Sequence, residues 1–142
     1  MIRLGDYNKM TVVKEVDFGI YLDGGDEGEI LMPKRYVPEG TKPGDELNVF
    51  VYLDQDERPV ATTETPLCKV GDFAYLEVSW VNEYGAFLKW ELMKDLFCPF
   101  REQKKRMEIG ESYIVHIHID EDSYRIVASA KVERYFNERP PF

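Results

Sequence analysis

Between Leu47 and Leu53 the chain alternates strictly, with Leu47, Val49, Val51 and Leu53 on one side and Asn48, Phe50 and Tyr52 on the other. A period of two is that of an extended strand, here with one aliphatic face and one polar or aromatic face. The same reading predicts a strand from Tyr7 to Val16, with Met10 and Val12 on one side. A second strand runs from Phe18 to Leu22 with Gly19 at its start, where the missing side chain permits the bulge or sharp coil that a small closed barrel requires. The stretch 23–28, rich in glycine and acid, reads as a hairpin loop. Glu29 to Pro33 is a short third strand stopped by its proline, and 34–43 is an irregular connection. Gly44 opens the fourth strand, 54–57 turns the chain, and Arg58 to Thr63 is the fifth.

This five-strand cycle then restarts. Asp17-Phe18-Gly19-Ile20-Tyr21-Leu22 returns as Glu83-Tyr84-Gly85-Ala86-Phe87-Leu88, an offset of 83 − 17 = 66 residues. Gly5-Asp6 pairs with Gly71-Asp72, Met10 with Leu76, Val12 with Val78, Pro33 with Pro99 and Gly44 with Gly110 at the same offset. From Arg58/Arg125 onward the offset is 67, so one extra residue sits in the last turn of the second copy. A slip confined to a turn preserves every strand's inward face, whereas a slip inside a strand would invert it. Two tandem homologous units follow. Five short strands per unit, a connection after strand three and a glycine-bent opening pair suit the Greek-key barrel of the OB type. The predicted fold is all-β, two tandem five-stranded OB-type barrels over 1–65 and 66–136, strands falling within 4–64 and 70–131. A short linker, 64–69, joins them, and 137–142, with Pro140-Pro141, reads as the start of another.

The copies differ on their surfaces. The strand 2–3 loop of the second copy is Lys89-Trp90-Glu91-Leu92-Met93-Lys94, and its long connection carries Arg101, Lys104, Lys105 and Arg106. Residues 101–108 have the helix propensity of a short helix, against which stands a plain solvated turn. The formal net charge is −9, which argues against a general duplex-DNA binder, whose affinity comes mostly from neutralising phosphates. That charge is uneven: residues 1–66 carry 7 basic and 14 acidic side chains, a net of −7, and residues 67–142 carry 11 and 13, a net of −2. A polyanion therefore suits the second half, and a basic protein partner suits the first. With 44% hydrophobic residues there is material for two small cores, no apolar run approaches the ~20 residues of a membrane span, and the N-terminus lacks a signal-peptide core. A soluble cytoplasmic protein is expected.

No catalytic constellation emerges. Cys68 and Cys98 fall at non-equivalent places and read as two reduced thiols, with no histidine placed to activate either. His116 and His118, two apart on one strand, point to one side, but no third metal ligand accompanies them, and no cofactor is expected. The candidate chemistry is non-covalent. One face of an OB barrel, around strands 2 and 3, grips single-stranded nucleic acid by stacking bases on aromatic rings. Phe18 and Tyr21, and Tyr84 and Phe87, are the candidate rings, the alternative being that one ring of each pair plugs its barrel. Asp54 with Arg58, and Asp120 with Arg125, flank the last turn and can pair so as to aim a guanidinium, whose planar fork suits phosphate or base edges.

The Val-rich strand, Phe18-Gly19-Ile20-Tyr21, then Asp54 and Arg58 resemble the S1 RNA-binding motif. The stretches 16–22, 28–33, 35–38, 61–64 and 99–104 are more specifically similar to the CvfB/YitL family, over most of residues 4–136. The resemblance implies a bacterial RNA-binding regulator with tandem S1 domains, commonly followed by a further S1-like domain and a winged helix, so this chain is expected to match the N-terminal part of such a protein. It implies RNA contacts at Phe18, Tyr21, Asp54 and Arg58, then Tyr84, Phe87, Asp120 and Arg125. The histidine position of the motif falls on Leu31 and Phe97, and Phe97 retains a ring that can stack; Pro33 and Pro99 stand where the motif has serine. Adding Lys89, Arg101, Lys104 and Lys105, the expected function is non-enzymatic binding of single-stranded RNA, chiefly through the second barrel. The rival reading is a protein-interaction module with little direct RNA binding.

Overall fold

The computed structural model describes residues 2–138, and the chain divides into two compact units between Thr65 and Pro66. The first unit contains β1 (Asp6–Val16), β2 (Gly19–Asp23), β3 (Glu29–Pro33), β4 (Glu46–Leu53) and β5 (Pro59–Thr62). These close into a barrel in the order β1-β2-β3-β5-β4, antiparallel except at the β3/β5 seam, where Leu31 meets Val60. The second unit repeats the plan with β6 (Phe73–Val81), β7 (Gly85–Leu88), β8 (Leu96–Pro99), β9 (Ser112–Ile119) and β10 (Ile126–Ser129), joined in the order β6-β7-β8-β10-β9. The chain is all-β, two closed five-stranded barrels of OB type.

The cores correspond residue by residue. Met10, Val12, Ile20, Leu22, Ile30, Met32, Val49, Val51 and Ala61 are buried in the first barrel. Their counterparts Leu76, Val78, Ala86, Leu88, Leu96, Cys98, Val115, Ile117 and Ala128 are buried in the second. Ile20 and Met32 shrink to Ala86 and Cys98 in the second copy, which additionally buries Trp90 and Leu92 from its strand 2–3 loop. Trp90 Nε1 donates to the Lys94 carbonyl at 2.7 Å, so the indole enters with its polar atom satisfied.

Several sequence expectations are corrected. The bulge lies not at Gly19 but in β1 and β6, where the register against the next strand shifts between Val12 and Lys14 and again between Val78 and Trp80. Gly19 serves a different need. A Cβ there would lie 2.2 Å from the Met32 carbonyl oxygen, and one at Gly85 2.4 Å from that of Cys98, so only glycine lets the third strand approach this closely. The two faces of β4 are aliphatic and aromatic as read, and both are covered: Phe50 and Tyr52 are buried like Val49 and Val51, with the Tyr7 ring 5.3 Å edge-on to Phe50.

Residues 101–108 form no helix beyond one 3-10 turn, Phe100–Glu102. Gln103 explains why: buried, it donates from Nε2 to the Cys98 carbonyl and accepts the Met107 N–H, tying the connection to the barrel wall. The segment after Lys131 is a 3-10 stretch, Val132–Glu138, whose Tyr135 stacks on His116 at 4.0 Å. It takes in the first two residues read as linker; the remainder, 139–142, lies outside the described residues.

Replacing Gly19 or Gly85 by Ala should destabilise the protein by at least the ~1–3 kcal/mol typical of overpacking, because the clashing atom is backbone. Gly40→Ala, with no atom within 4 Å of its added Cβ, carries only the strain of its positive φ and is the control. Thermal melting decides it: a Gly19→Ala protein melting no lower than Gly40→Ala contradicts the close-approach account.

Candidate nucleic-acid interface

Residues facing one another across adjacent strands point to the same side of a sheet. In the first barrel the outward row beside the glycine crossing is Lys14, Tyr21, Leu31 and Val60 on β1, β2, β3 and β5. In the second it is Trp80, Phe87, Phe97 and Val127 on β6, β7, β8 and β10. The backbone is shared and the side chains differ. Trp80 and Phe87 stack at 4.8 Å with 10° between planes, and Phe87 meets Phe97 at 5.2 Å and 38°. The first barrel has one ring in this row, and the Lys14 ammonium lies over it, 5.0 Å from the Tyr21 centroid, while bonded to Glu29 at 3.2 Å.

The paired rings of the opening motif do not plug the barrels. Phe18 is 57% exposed and Tyr84 67%, at the turns that enter β2 and β7, while Tyr21 and Phe87 are half-buried. Phe18 meets Tyr21 edge-on at 6.2 Å. The second turn is held by Asn82, whose side-chain oxygen accepts the N–H of Tyr84 at 2.8 Å and of Gly85 at 3.2 Å, a geometry in which a short amide replaces a backbone acceptor. Glu15, Asp17 and Lys34 line a polar cleft of about 520 Å³ beside Gly19. Asp23, Asp26 and Glu27 are exposed in the adjoining hairpin.

The charged candidates are mostly engaged within the chain. Asp54 accepts Arg58 Nε at 3.2 Å across the β4–β5 turn, as expected. At the β9–β10 turn, Asp120 accepts Arg101 Nη2 at 3.0 Å and the Ser123 hydroxyl at 2.7 Å, and exposed Arg125 lies at the foot of β10. Each turn closes with the aspartate N–H donating to the arginine carbonyl at 2.8 Å, so the extra residue of the second copy is absorbed without moving the strands. Lys89 bonds Glu77 at 3.2 Å and Lys104 bonds Glu133 at 2.5 Å. Lys105 is exposed, and the Arg106 guanidinium lies over the Phe100 ring at 4.1 Å. The structure thus brings Phe87 and Phe97 together, joins Arg101 to Asp120, and ties Lys89 and Lys104 to carboxylates.

Two features escaped sequence reading. One is Trp80 at the head of the row. The other is the cover over the outward side of β9, where His116 contacts Phe73 at 4.8 Å, His118 and Tyr135 lie 5.3 Å apart, and Phe136 meets Phe73 at 5.7 Å. Arg134 bonds Glu102 and pins this segment. Burial pulls the His118 pKa down against the opposing pull of Glu102 and Asp120, which favours a neutral ring inside an aromatic cluster. No group of three or more residues able to hold a metal occurs among the described residues. Burial pushes both Cys68 and Cys98 up to about 12, so both thiols stay protonated at neutral pH. No helix among the described residues is long and apolar enough to cross a membrane.

Comparison with known proteins places this geometry. The S1 domain profile matches residues 4–64, the first barrel. The uncharacterized protein YitL of Bacillus subtilis is 33% identical over 95 residues, covering 66% of this chain and 32% of that protein. The chain is a YitL/CvfB-like tandem S1 protein. The fold is also that of a multidomain protein with nucleic acid binding domains from Streptococcus pneumoniae, with a TM-score of 0.77 at 18% identity over 98% of this chain and 50% of that one. The matches thus span about a third of the YitL chain and half of the solved one.

The Ser123 hydroxyl, then the Ser123 N–H and Arg101, hold the Asp120 carboxyl below the usual carboxylate range. A depressed folded-state pKa contributes stability that is present above the unfolded value and lost as pH falls through the folded one. Asp120→Asn should therefore melt below the parent at pH 7, with the gap closing as the solution is acidified from about pH 5 toward pH 2. A gap that stays constant with pH contradicts this.

Proposed function

We propose that the protein binds single-stranded RNA without catalysing a reaction, that the second barrel supplies most of the affinity, and that the protein acts on gene expression through the RNA it holds. The observation that carries the reading is the outward row of Trp80, Phe87 and Phe97 beside exposed Tyr84. Aromatic rings on the strand 2–3 face of a small barrel suit unpaired bases, since every base has a π-face and none needs to be read by its edges. Membership among tandem S1 proteins supports nucleic acid as the ligand. The pairing of Lys89, Arg101 and Lys104 with carboxylates leaves few cations for phosphate, which suits a binder driven by stacking more than by counterion release.

The first barrel plays a lesser part on this reading. Tyr21 is covered by Lys14, Asp17 adjoins Phe18, and Asp23 and Asp26 add negative charge in the hairpin at the far end of β2, all of which repels phosphate. Asp54 and Arg58 satisfy one another. That acidic surface favours, as a second role for this barrel, a basic protein partner.

Titration of fluorescent oligoribonucleotides tests both parts. Tyr84→Ala should weaken binding about ten- to a hundredfold, the equivalent of the ~1–3 kcal/mol per stacked base, whereas Phe18→Ala should change it less than threefold. The slope of log affinity on log salt should be no steeper than about −2, given roughly −0.7 per phosphate contacted by single strands. Equal losses from the two substitutions would overturn the division between barrels.

A further inference from the structure

We infer that Trp80 is the ring on which the second barrel stacks a nucleobase and that Phe87 is the residue that positions it. This rests on the single-stranded RNA reading and changes which side chain does the work. Phe87 sits on the middle strand of the row, with the Trp80 ring on one side, parallel at 4.8 Å, and the Phe97 ring on the other at 5.2 Å. A ring flanked on both sides has no open face for a base. In a row of rings, only an end member can present one.

Trp80 is that end. The ladder between β6 and β9 runs from Phe73/His116 to Glu77/Ser112 and ends in the backbone bonds of Val78 with Gly110 and Glu111, so among the described residues no strand lies beside Trp80 on the side away from Phe87. The indole is 48% exposed, although its neighbours Val78 and Val81 are buried or half-buried. It faces outward because of the bulge at Ser79, which shifts the register so that Trp80 rather than Ser79 meets Phe87. That bulge is pinned: the Ser79 hydroxyl donates to Asp95 Oδ2 at 2.5 Å and lies 3.1 Å from the Phe87 carbonyl oxygen.

The result is a large flat ring, half-immobilised in advance by stacking, with one face open. Ordering it before binding lowers the entropy that a base must overcome to dock. The first barrel offers a contrast built on the same backbone. Its bulge residue is Val13, and its end position holds Lys14, whose ammonium covers Tyr21. A cation there leaves no end ring on which to stack.

The chain's two tryptophans make the proposal directly measurable, because Trp90 is 2% exposed and Trp80 is the one open to solvent. The full chain is titrated with unlabelled oligouridylate while intrinsic fluorescence and acrylamide quenching are recorded, and a labelled copy of the oligonucleotide reports affinity by anisotropy. Oligouridylate should quench the exposed emission and shield it from acrylamide. Trp80→Ala should lose about ten- to a hundredfold in affinity and Trp80→Phe clearly less. Phe87→Ala should raise acrylamide access to Trp80 before any RNA is added and weaken binding, whereas Phe87→Leu, which keeps a bulky wall behind the indole without an aromatic face, should recover most of the affinity, as it would not if Phe87 were itself the platform. Because Trp80 is half exposed, Trp80→Ala should keep the parent melting temperature to within a few degrees, and Trp80→Phe serves if it does not. Unchanged affinity of both Trp80 variants, with no quenching on binding, overturns the assignment while leaving RNA binding standing. An anisotropy signal that never rises with the parent protein overturns the RNA reading and this assignment with it.

Discussion

Everything on the outer face depends on one backbone approach. Gly19 and Gly85 let the second strand of each barrel come so near the third that a single added carbon would sit 2.2 or 2.4 Å from a carbonyl oxygen. This closeness tightens the sheet where five short strands must curl into a closed wall, a demand that a small barrel meets with bulges and missing side chains. It also sets the positions around it. The residue before the glycine, Phe18 or Tyr84, is left exposed at the turn, and the residue two after it, Tyr21 or Phe87, joins the outward row.

With the backbone held constant, the two barrels form a comparison in which only side chains vary. One row is lysine, tyrosine, leucine; the other is tryptophan, phenylalanine, phenylalanine. Lysine contributes a charge satisfied by Glu29 and covers its neighbour's ring, whereas tryptophan extends the ring surface outward. Charge follows the same division, since the first half of the chain carries a net of −7 and the second −2. The repulsion between a phosphate and an acid is screened beyond roughly 8–10 Å at ordinary salt, so Asp17 acts at Phe18 while Asp23 and Asp26 act at the hairpin end of β2. On the proposed reading, the pairing of Lys89, Arg101 and Lys104 with acids of the second barrel makes stacking the dominant interaction there.

Much of this was legible in the sequence. Alternation from Leu47 to Leu53 and the repeat at 66 residues located the strands within a residue or two and paired the cores, because a buried face constrains every second residue. The outward row was harder. Strict alternation through Leu76 and Val78 turns Trp80 inward, and only the bulge at Ser79 turns it out. A signal was present nonetheless: the repeat pairs Trp80 with Lys14, and an unpaired lysine is costly to bury, so that position faces solvent in both copies. Neither the short helix nor the plain solvated turn weighed for 101–108 forms, because propensity is a weak prior against a buried glutamine that captures two backbone groups. Tyr135 on His116 joins residues 19 apart with no periodic relation, and the sequence carries no local sign of it.

The measurement that bears most directly on a base-binding second barrel beside a first that only shares its fold is amide chemical-shift mapping of the isotope-labelled full chain with a short oligouridylate. The account predicts shifts confined to the strands bearing Trp80, Phe87 and Phe97 and to the Tyr84 turn, with the Phe18–Tyr21 strand and its acidic hairpin unmoved. Shifts centred on the first barrel, or of equal size at the two glycine crossings, would contradict it.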